Sequence, residues 1–278
     1  ALIVSDCKAN AAAVYTTNLV KGAPLTVTKS HIADGKAQAV ICNSGNANTC
    51  NANGIEVAEK MSSLLADALD ICPCDVVVAS TGVIGQPLDI TPIADGMDAL
   101  VAGLGNNSED AAEGIMTTDT VKKEVAVQFE LNGVKCTVGG MAKGSGMIHP
   151  NMATTLNFVT TDLAISSALL QKALSEIVKV TYNCLSIDGD TSTNDMISVM
   201  ANGLAGNAEI TEENEAYEIF KKALYEVLMN MTKMLAKDGE GATKLVECQV
   251  SGAKSKEIAN GFGLLSFFLV LKIMAGYM

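Results

Sequence analysis

The chain has no tryptophan, five prolines and two histidines, and it is short of basic residues, with 19 Lys and Arg against 31 Asp and Glu. A net charge of −12 repels backbone phosphates and anionic lipid surfaces, so neither a nucleic acid nor a membrane is expected as a partner. Two histidines are too few for a histidine-built metal site, and no metal is expected. None of the eight cysteines (7, 42, 50, 72, 74, 136, 184 and 248) stands in C-x-x-C spacing, and Cys72-Pro73-Cys74 is the one close pair. They read as reduced, structural thiols of a cytoplasmic protein. The opening ALIVSDCKAN has no basic segment followed by a long apolar run, so no secretory signal is read there.

What is present is a chain of 278 residues, 49% hydrophobic and holding 24 glycines. That is enough to bury a sizeable core and excludes a disordered chain. Ala37–Cys42 and Asp75–Ser80 are short apolar runs ended by turn residues, the pattern of buried strands. Between them Ile55, Ala58, Ser62, Leu65 and Leu69 recur at helical spacing. Further helices are expected over Ile90–Leu104, Glu109–Met116, Ser166–Tyr182 and Glu212–Lys237, and further strands over Leu156–Thr160 and Lys244–Val250. Glu124–Leu131 and Val134–Val138 flank Asn132-Gly133, a strong hairpin signal. Hairpins and crossovers thus mix, and the fold class expected is a layered α/β sandwich. From Gly261 an apolar run, GFGLLSFFLVLKIMAGYM, reads first as a buried terminal helix or strand, next as a non-native or truncated end and last as a membrane anchor, being shorter than a membrane span and interrupted by Lys272.

Two familiar sites are absent on spacing. Asp188–Asp195 (DGDTSTND) places Thr193 and Val199 where a calcium loop needs glycine and glutamate. In Lys143-Gly144-Ser145-Gly146 the lysine precedes the glycines, the reverse of a phosphate loop. More telling is MIHPNMATTLNF, Met147 to Phe158, where a nucleophile's surroundings lack a histidine–carboxylate partner set. A threonine can manage without one if the chain is cut before it, because its new α-amine, with a pKa near 7.7–8.0, accepts the proton. Ala153-Thr154 has the small residue that such a cut needs. Ser80-Thr81-Gly82, at the end of an expected strand, offers backbone N–H groups to an oxyanion. Each of these also has a plain structural reading, as a strand start or a strand-to-loop turn.

Six segments occur in a fixed order: NSGNAN (43–48), ASTGVIG (79–85), IMTTDT (115–120), AKGSGMIHPNMATTLNF (142–158), DGDTSTND (188–195) and DGEGATK (238–244). Together they closely resemble the ornithine acetyltransferase family, also called glutamate N-acetyltransferase, from about Leu2 to about Gly252. The resemblance implies a layered α/β sandwich similar in architecture to the N-terminal-nucleophile hydrolases. It implies a precursor cut between Ala153 and Thr154, with an α chain of residues 1–153, a partial β chain of 154–260 and an atypical apolar tail of 261–278. Thr154 would be the nucleophile, Thr81 and Gly82 the oxyanion donors, and Thr117, Lys143, Thr154 and Glu240 the substrate contacts. N-acetylornithine would give its acetyl group to glutamate through an acetyl-threonine, with no cofactor and with acetyl-CoA as a further possible donor. The α and β chains would assemble as an α2β2 heterotetramer. The family also places an asparagine and a serine or threonine near its C-terminus in the substrate site, and the tail from Gly261 does not match them. The competing expectations are an amidase or aminopeptidase with the same nucleophile, and an inactive chain.

Overall fold

The computed structural model describes residues 1–149, 155–255, 258, 259, 261 and 263. Two compact units divide the chain, Ala1–Glu240 and Gly241–Met278.

The first unit is built on seven strands: β1 (Leu2–Tyr15), β2 (Lys36–Asn43), β3 (Val76–Ser80), β4 (Lys123–Leu131), β5 (Val134–Lys143), β6 (Leu156–Thr161) and β7 (Met196–Ala201). They are hydrogen-bonded in the order β3-β2-β1-β7-β6-β5-β4. The pairs β2/β3 and β6/β7 are parallel and the others antiparallel. At about 4.8 Å per strand a flat sheet would hold β3 and β5 more than 20 Å apart. Yet the Lys143 ammonium at the end of β5 reaches Thr81 just past β3 at 3.2 Å. The ribbon therefore folds over on itself. The bend lies in β1, whose register against β2 breaks between Val4 and Ala9. The long strand serves both halves, pairing with β2 through its first part and with β7 through Asn10–Tyr15.

Side-chain alternation fills the layers this fold creates. Between the two halves lie Ala9, Val40, Cys42, Val77 and Ala79 from one, and Met141, Phe158, Met196 and Met200 from the other. On the outer face of the β2–β3 half, Ala39, Ile41, Val76 and Val78 pack with Val57, Met61 and Leu65 of helix α2 (Gly54–Leu69). Helices α1 (Ala23–His31) and α3 (Thr91–Ala102) lie beside α2. On the outer face of the other half, Val138, Val159, Ile197 and Val199 pack with α5 (Ser167–Val178) and α6 (Glu215–Lys237). A short helix, α4 (Ser108–Gly114), sends Ala112 into the middle layer, where Ile115 joins it. The result is the layered α/β sandwich expected.

Local chemistry explains most elements. The β4–β5 turn has Asn132 at φ 50° and Gly133 at φ 84°, the left-handed pair that suits a tight hairpin. Helix α6 starts where the Asn214 side chain accepts the Tyr217 amide, carries Glu215 and Glu218 in its first turn and ends on Lys237, an order that complements its dipole.

Four expectations need correction. Residues 244–250 form no strand: they are exposed, and among the described residues no strand pairs with them. Helix α5 ends at Val178 rather than Tyr182, because the chain tightens into a single 3₁₀ turn at Tyr182–Cys184. Ile55, read at helical spacing with Ala58, Ser62 and Leu65, does not share their buried face and is 47% exposed. Cys72 and Cys74 are joined as a disulfide, since the turn at Pro73–Asp75 brings their Cα atoms to 5.2 Å, within bridging range. Most of the apolar tail lies outside the described residues. Among the described residues no helix is long and apolar enough to cross a membrane.

Leu224 of α6 is fully buried, so Leu224→Ala should cost about 2–5 kcal/mol in urea unfolding. Leu204, 59% exposed, should change stability by less than about 0.5 kcal/mol when replaced by alanine.

Candidate active site

The fold-over brings the ends of β2, β3 and β5 against the starts of β6 and β7, and the candidate residues collect there. Thr81 follows β3 directly. Its amide donates to the Asn43 carbonyl at 2.9 Å, prolonging the β2–β3 pairing by one step. Gly82 has φ 122°, and a Cβ on it would lie 2.6 Å from the Gly45 carbonyl carbon and oxygen. Only glycine lets the 79–85 segment press so closely on the 43–48 loop. That loop is folded by its own asparagines: Asn43 accepts the Gly45 amide at 3.1 Å, and Asn46 accepts the Asn48 amide at 2.7 Å.

Lys143, the last residue of β5, is 3% exposed. Its ammonium donates to Thr117 Oγ1 at 2.6 Å and to Thr81 Oγ1 at 3.2 Å. Burial pushes its pKa down, while Asp119 is the foremost group pushing it back up. Among the described residues no carboxylate pairs with it directly, so the ammonium is turned to two neutral hydroxyls. Such a group has capacity left for an incoming anion.

Glu240, the last residue of the first unit, joins through its backbone, donating its amide to the Ser145 carbonyl at 2.6 Å. Its carboxylate lies over Gly146, where an added Cβ would meet it at 2.7–2.8 Å. The segment that follows is pinned by Asp188, whose carboxylate accepts the Met147 amide and, at 2.9 Å, the Ile148 amide. Thr81, Gly82, Thr117, Lys143 and Glu240 are thus held around one end of the sandwich. Ala153 and Thr154 lie outside the described residues.

The residue after them is described. Thr155 is 2% exposed, its amide donates to Asp195 Oδ1 at 2.6 Å, and its carbonyl accepts the Met196 amide at 3.0 Å. Asp195 is fully buried, and its Oδ2 has no hydrogen-bond partner among the described residues. Burial drives its pKa well above the usual carboxylate range, against the Thr155 amide, Lys143 and the Ser192 and Thr16 hydroxyls. Its neighbour Asn194 donates to the carbonyls of Ala47 and Ser80 at 2.7 and 2.8 Å and accepts from Thr49 Oγ1 at 2.6 Å. The 188–195 segment therefore ties the 43–48 loop, the end of β3 and the start of β6 together.

Fold and site define a layered α/β protein whose strand ends carry two hydroxyls, a buried ammonium and a carboxylate. The chain belongs to the ArgJ family, whose profile matches residues 1–264. It is 51% identical over 255 residues to the arginine biosynthesis bifunctional protein ArgJ of Symbiobacterium thermophilum, covering 91% of this chain and 63% of that protein. The chain thus spans a little under two thirds of that relative's length. A crystal structure of the arginine biosynthesis bifunctional protein ArgJ from Bacillus halodurans matches with a TM-score of 0.51 and 45% identity, over 55% of this chain and 81% of that one. Ornithine acetyltransferase from Mycobacterium tuberculosis, complexed with ornithine, matches with a TM-score of 0.50 and 34% identity, over 56% of this chain and 82% of that one.

Sequence reasoning did not single out Asn194, Asp195, Asp119, Lys123 or Asp238 as site residues. The signal for four of them was the polar 115–120, 188–195 and 238–244 segments, in which side chains that serve the backbone look like ordinary loop polarity.

Because burial raises the Asp195 pKa above its unfolded value, its contribution to stability is complete below the unfolded carboxylate pKa of about 3.9 and is lost as pH rises through the raised one. Asp195→Asn retains the oxygen that accepts from Thr155. Denaturant unfolding at several pH values from acid to neutral should show the variant gaining stability relative to wild type as pH rises.

Proposed function

We propose that this chain is a self-processing acetyltransferase of arginine biosynthesis, moving an acetyl group from N-acetylornithine to glutamate. The single observation that carries the reading is the Lys143 ammonium, buried yet turned to the Thr117 and Thr81 hydroxyls, at the mouth where Thr155 enters β6. Family membership and the ornithine held by the Mycobacterium tuberculosis relative support the substrate class.

In the first stage the Thr154 hydroxyl attacks the Ala153 carbonyl, and the peptide bond becomes an ester as the nitrogen leaves with the proton. Water then hydrolyses the ester, giving an α chain ending at Ala153 and a β chain beginning with the free amine of Thr154. That amine is the base the site otherwise lacks. In the transfer stage it takes the proton from the Thr154 hydroxyl as the oxygen attacks the acetyl carbon of N-acetylornithine. The negative charge on the acetyl oxygen meets donors from Thr81 and the Gly82 backbone. The amine returns the proton to the leaving nitrogen, ornithine departs, and the acetyl group stays as a threonine ester. Glutamate's amine attacks that ester by the same steps in reverse, and Thr154 is restored.

Lys143 receives the substrate α-carboxylate with Thr117 beside it, and Glu240 receives the cationic end of ornithine. The assembled protein is an α2β2 heterotetramer, and acetyl-CoA serves as a second acetyl donor. Glycine at position 82 is required by φ 122° and the Gly45 contact, so Gly82→Ala should lower turnover by about 100-fold or more, as for the loss of one oxyanion donor.

Mass spectrometry of the purified protein should find fragments that end at Ala153 and begin at Thr154, and only the intact chain in Thr154→Ala. An intact wild-type chain would contradict the processing step. Ornithine release from N-acetylornithine should depend on glutamate, whereas release indifferent to glutamate would identify a hydrolase. Acetyl-CoA with glutamate alone tests the second donor.

A further inference from the structure

Lys143 is not the only buried cation at this end of the sandwich. Lys123, the first residue of β4, is fully buried, and its ammonium donates to Asp119 Oδ1 at 2.7 Å and Asp238 Oδ2 at 2.6 Å. A third hydrogen bond goes to the Val121 carbonyl at 3.2 Å. Asp238 also accepts from the Thr120 hydroxyl and, at 3.0 Å, the Thr120 amide. Asp119 accepts on both oxygens: the Gly144 amide at 2.6 Å on Oδ1, beside Lys143, and the Thr117 amide at 3.1 Å on Oδ2. One carboxylate thus holds the backbone on both sides of the Lys143–Thr117 hydrogen bond.

The charges around Lys143 single out the same residue. Four titratable groups from separate segments act on its ammonium: Asp119, Cys42, Lys123 and Asp195. Burial raises the Cys42 thiol to about 11, so it is neutral at ordinary pH. Burial disfavours the charged form of Asp195, and Lys123 is a like charge. Asp119 differs. Burial acts to raise its pKa, but the Lys123 ammonium, the Gly144 amide and Lys143 together hold it below the ordinary value. It is the ionised acid left to offset the Lys143 charge.

We propose that Asp119, locked by Lys123 and Asp238, is the positioning residue that keeps the Lys143 ammonium charged and aimed between Thr81 and Thr117 to receive a carboxylate. The inference rests on the reading of Lys143 as the carboxylate-binding group. Lys123 and Asp238 act through Asp119, and none of the three needs to touch substrate. Asp238 lies two residues before Glu240, so the same ion cluster anchors both ends of the proposed substrate site.

Two variants test this. Asp119→Asn keeps an oxygen for the Gly144 amide and removes the charge. Lys123→Met removes the cation that holds the Asp119 carboxylate ionised and in place. Trace acetylation with acetic anhydride from neutral to strongly alkaline pH, read by mass spectrometry at Lys143, follows deprotonation of that lysine without requiring enzyme activity. The expected midpoint falls by about one pH unit or more in Asp119→Asn and by less in Lys123→Met. A role in packing alone would admit water to Lys143 and raise its midpoint instead. In parallel, Asp119→Asn should raise KM for N-acetylornithine about tenfold, with a smaller change in kcat, and the alkaline limb of kcat/KM should move to lower pH. Midpoints unchanged or raised in variants that melt cooperatively would overturn the proposal. If one variant fails to fold, the sign of the other decides. A wild-type chain with no turnover of N-acetylornithine would defeat the functional reading instead, and the labelling would still decide the role of Asp119.

Discussion

A lysine buried at the end of a strand obliges the protein to keep opposite charge within reach, and much of this architecture answers that requirement at Lys143. Direct pairing with a carboxylate would neutralise the ammonium and remove its capacity for an anion. Here the ammonium touches only hydroxyls among the described residues, and the compensating carboxylate of Asp119 stands one step behind, bonded to the backbone on either side. Asp119 is in turn held by a second buried lysine and a second carboxylate. Breaking such a cluster at one member leaves an uncompensated buried charge, at a cost of about 3–5 kcal/mol.

The cluster can form only because the strand ribbon folds over. In hydrogen-bonding order β3 and β5 are far apart, and the bend within β1 returns them to contact. Sequence periodicity made much of this legible. The runs that became β2, β3 and β6 and the stripes of α2 and α6 were plain, as was the Asn132-Gly133 turn. The long strand β1 was not, because Ala9, Ala11, Ala12 and Ala13 have weak strand preference, and their place depends on packing: Ala9 and Ala11 fill the narrow layer between the two halves, and Ala12 packs on the side of α5 and α6. Helix α1 was hidden by the glycine and proline at its start, and β7 by the polar segment before it. In the other direction, residues 244–250 read like a strand but pair with no strand among the described residues.

The site divides along the same line. Thr81, Gly82, Thr117, Lys143 and Glu240 were expected together because their segments carry the resemblance to the ornithine acetyltransferase family. Asn194 and Asp195 were not. Their work is to satisfy carbonyls and amides of segments more than a hundred residues, or about forty residues, away, and such partners exist only in the folded chain. Asp119 and Lys123 stand four apart, but nothing in that spacing says they are buried or that Asp238 completes them. Processing and transfer as proposed both draw on Thr154, with Thr81 and Gly82 proposed as donors for an oxyanion, Lys143 proposed as the cation for a carboxylate, and Thr155 fixed through its backbone.

The claim that everything else serves is that Thr154 carries the acetyl group between donor and acceptor. Brief exposure of the purified protein to N-acetylornithine without glutamate, followed by acid quench and tandem mass spectrometry, reads this directly. The account predicts one added acetyl group on the peptide that begins at Thr154, lost again when glutamate is supplied before the quench. Steady transfer of acetyl from N-acetylornithine to glutamate with Thr154 never acetylated would contradict it.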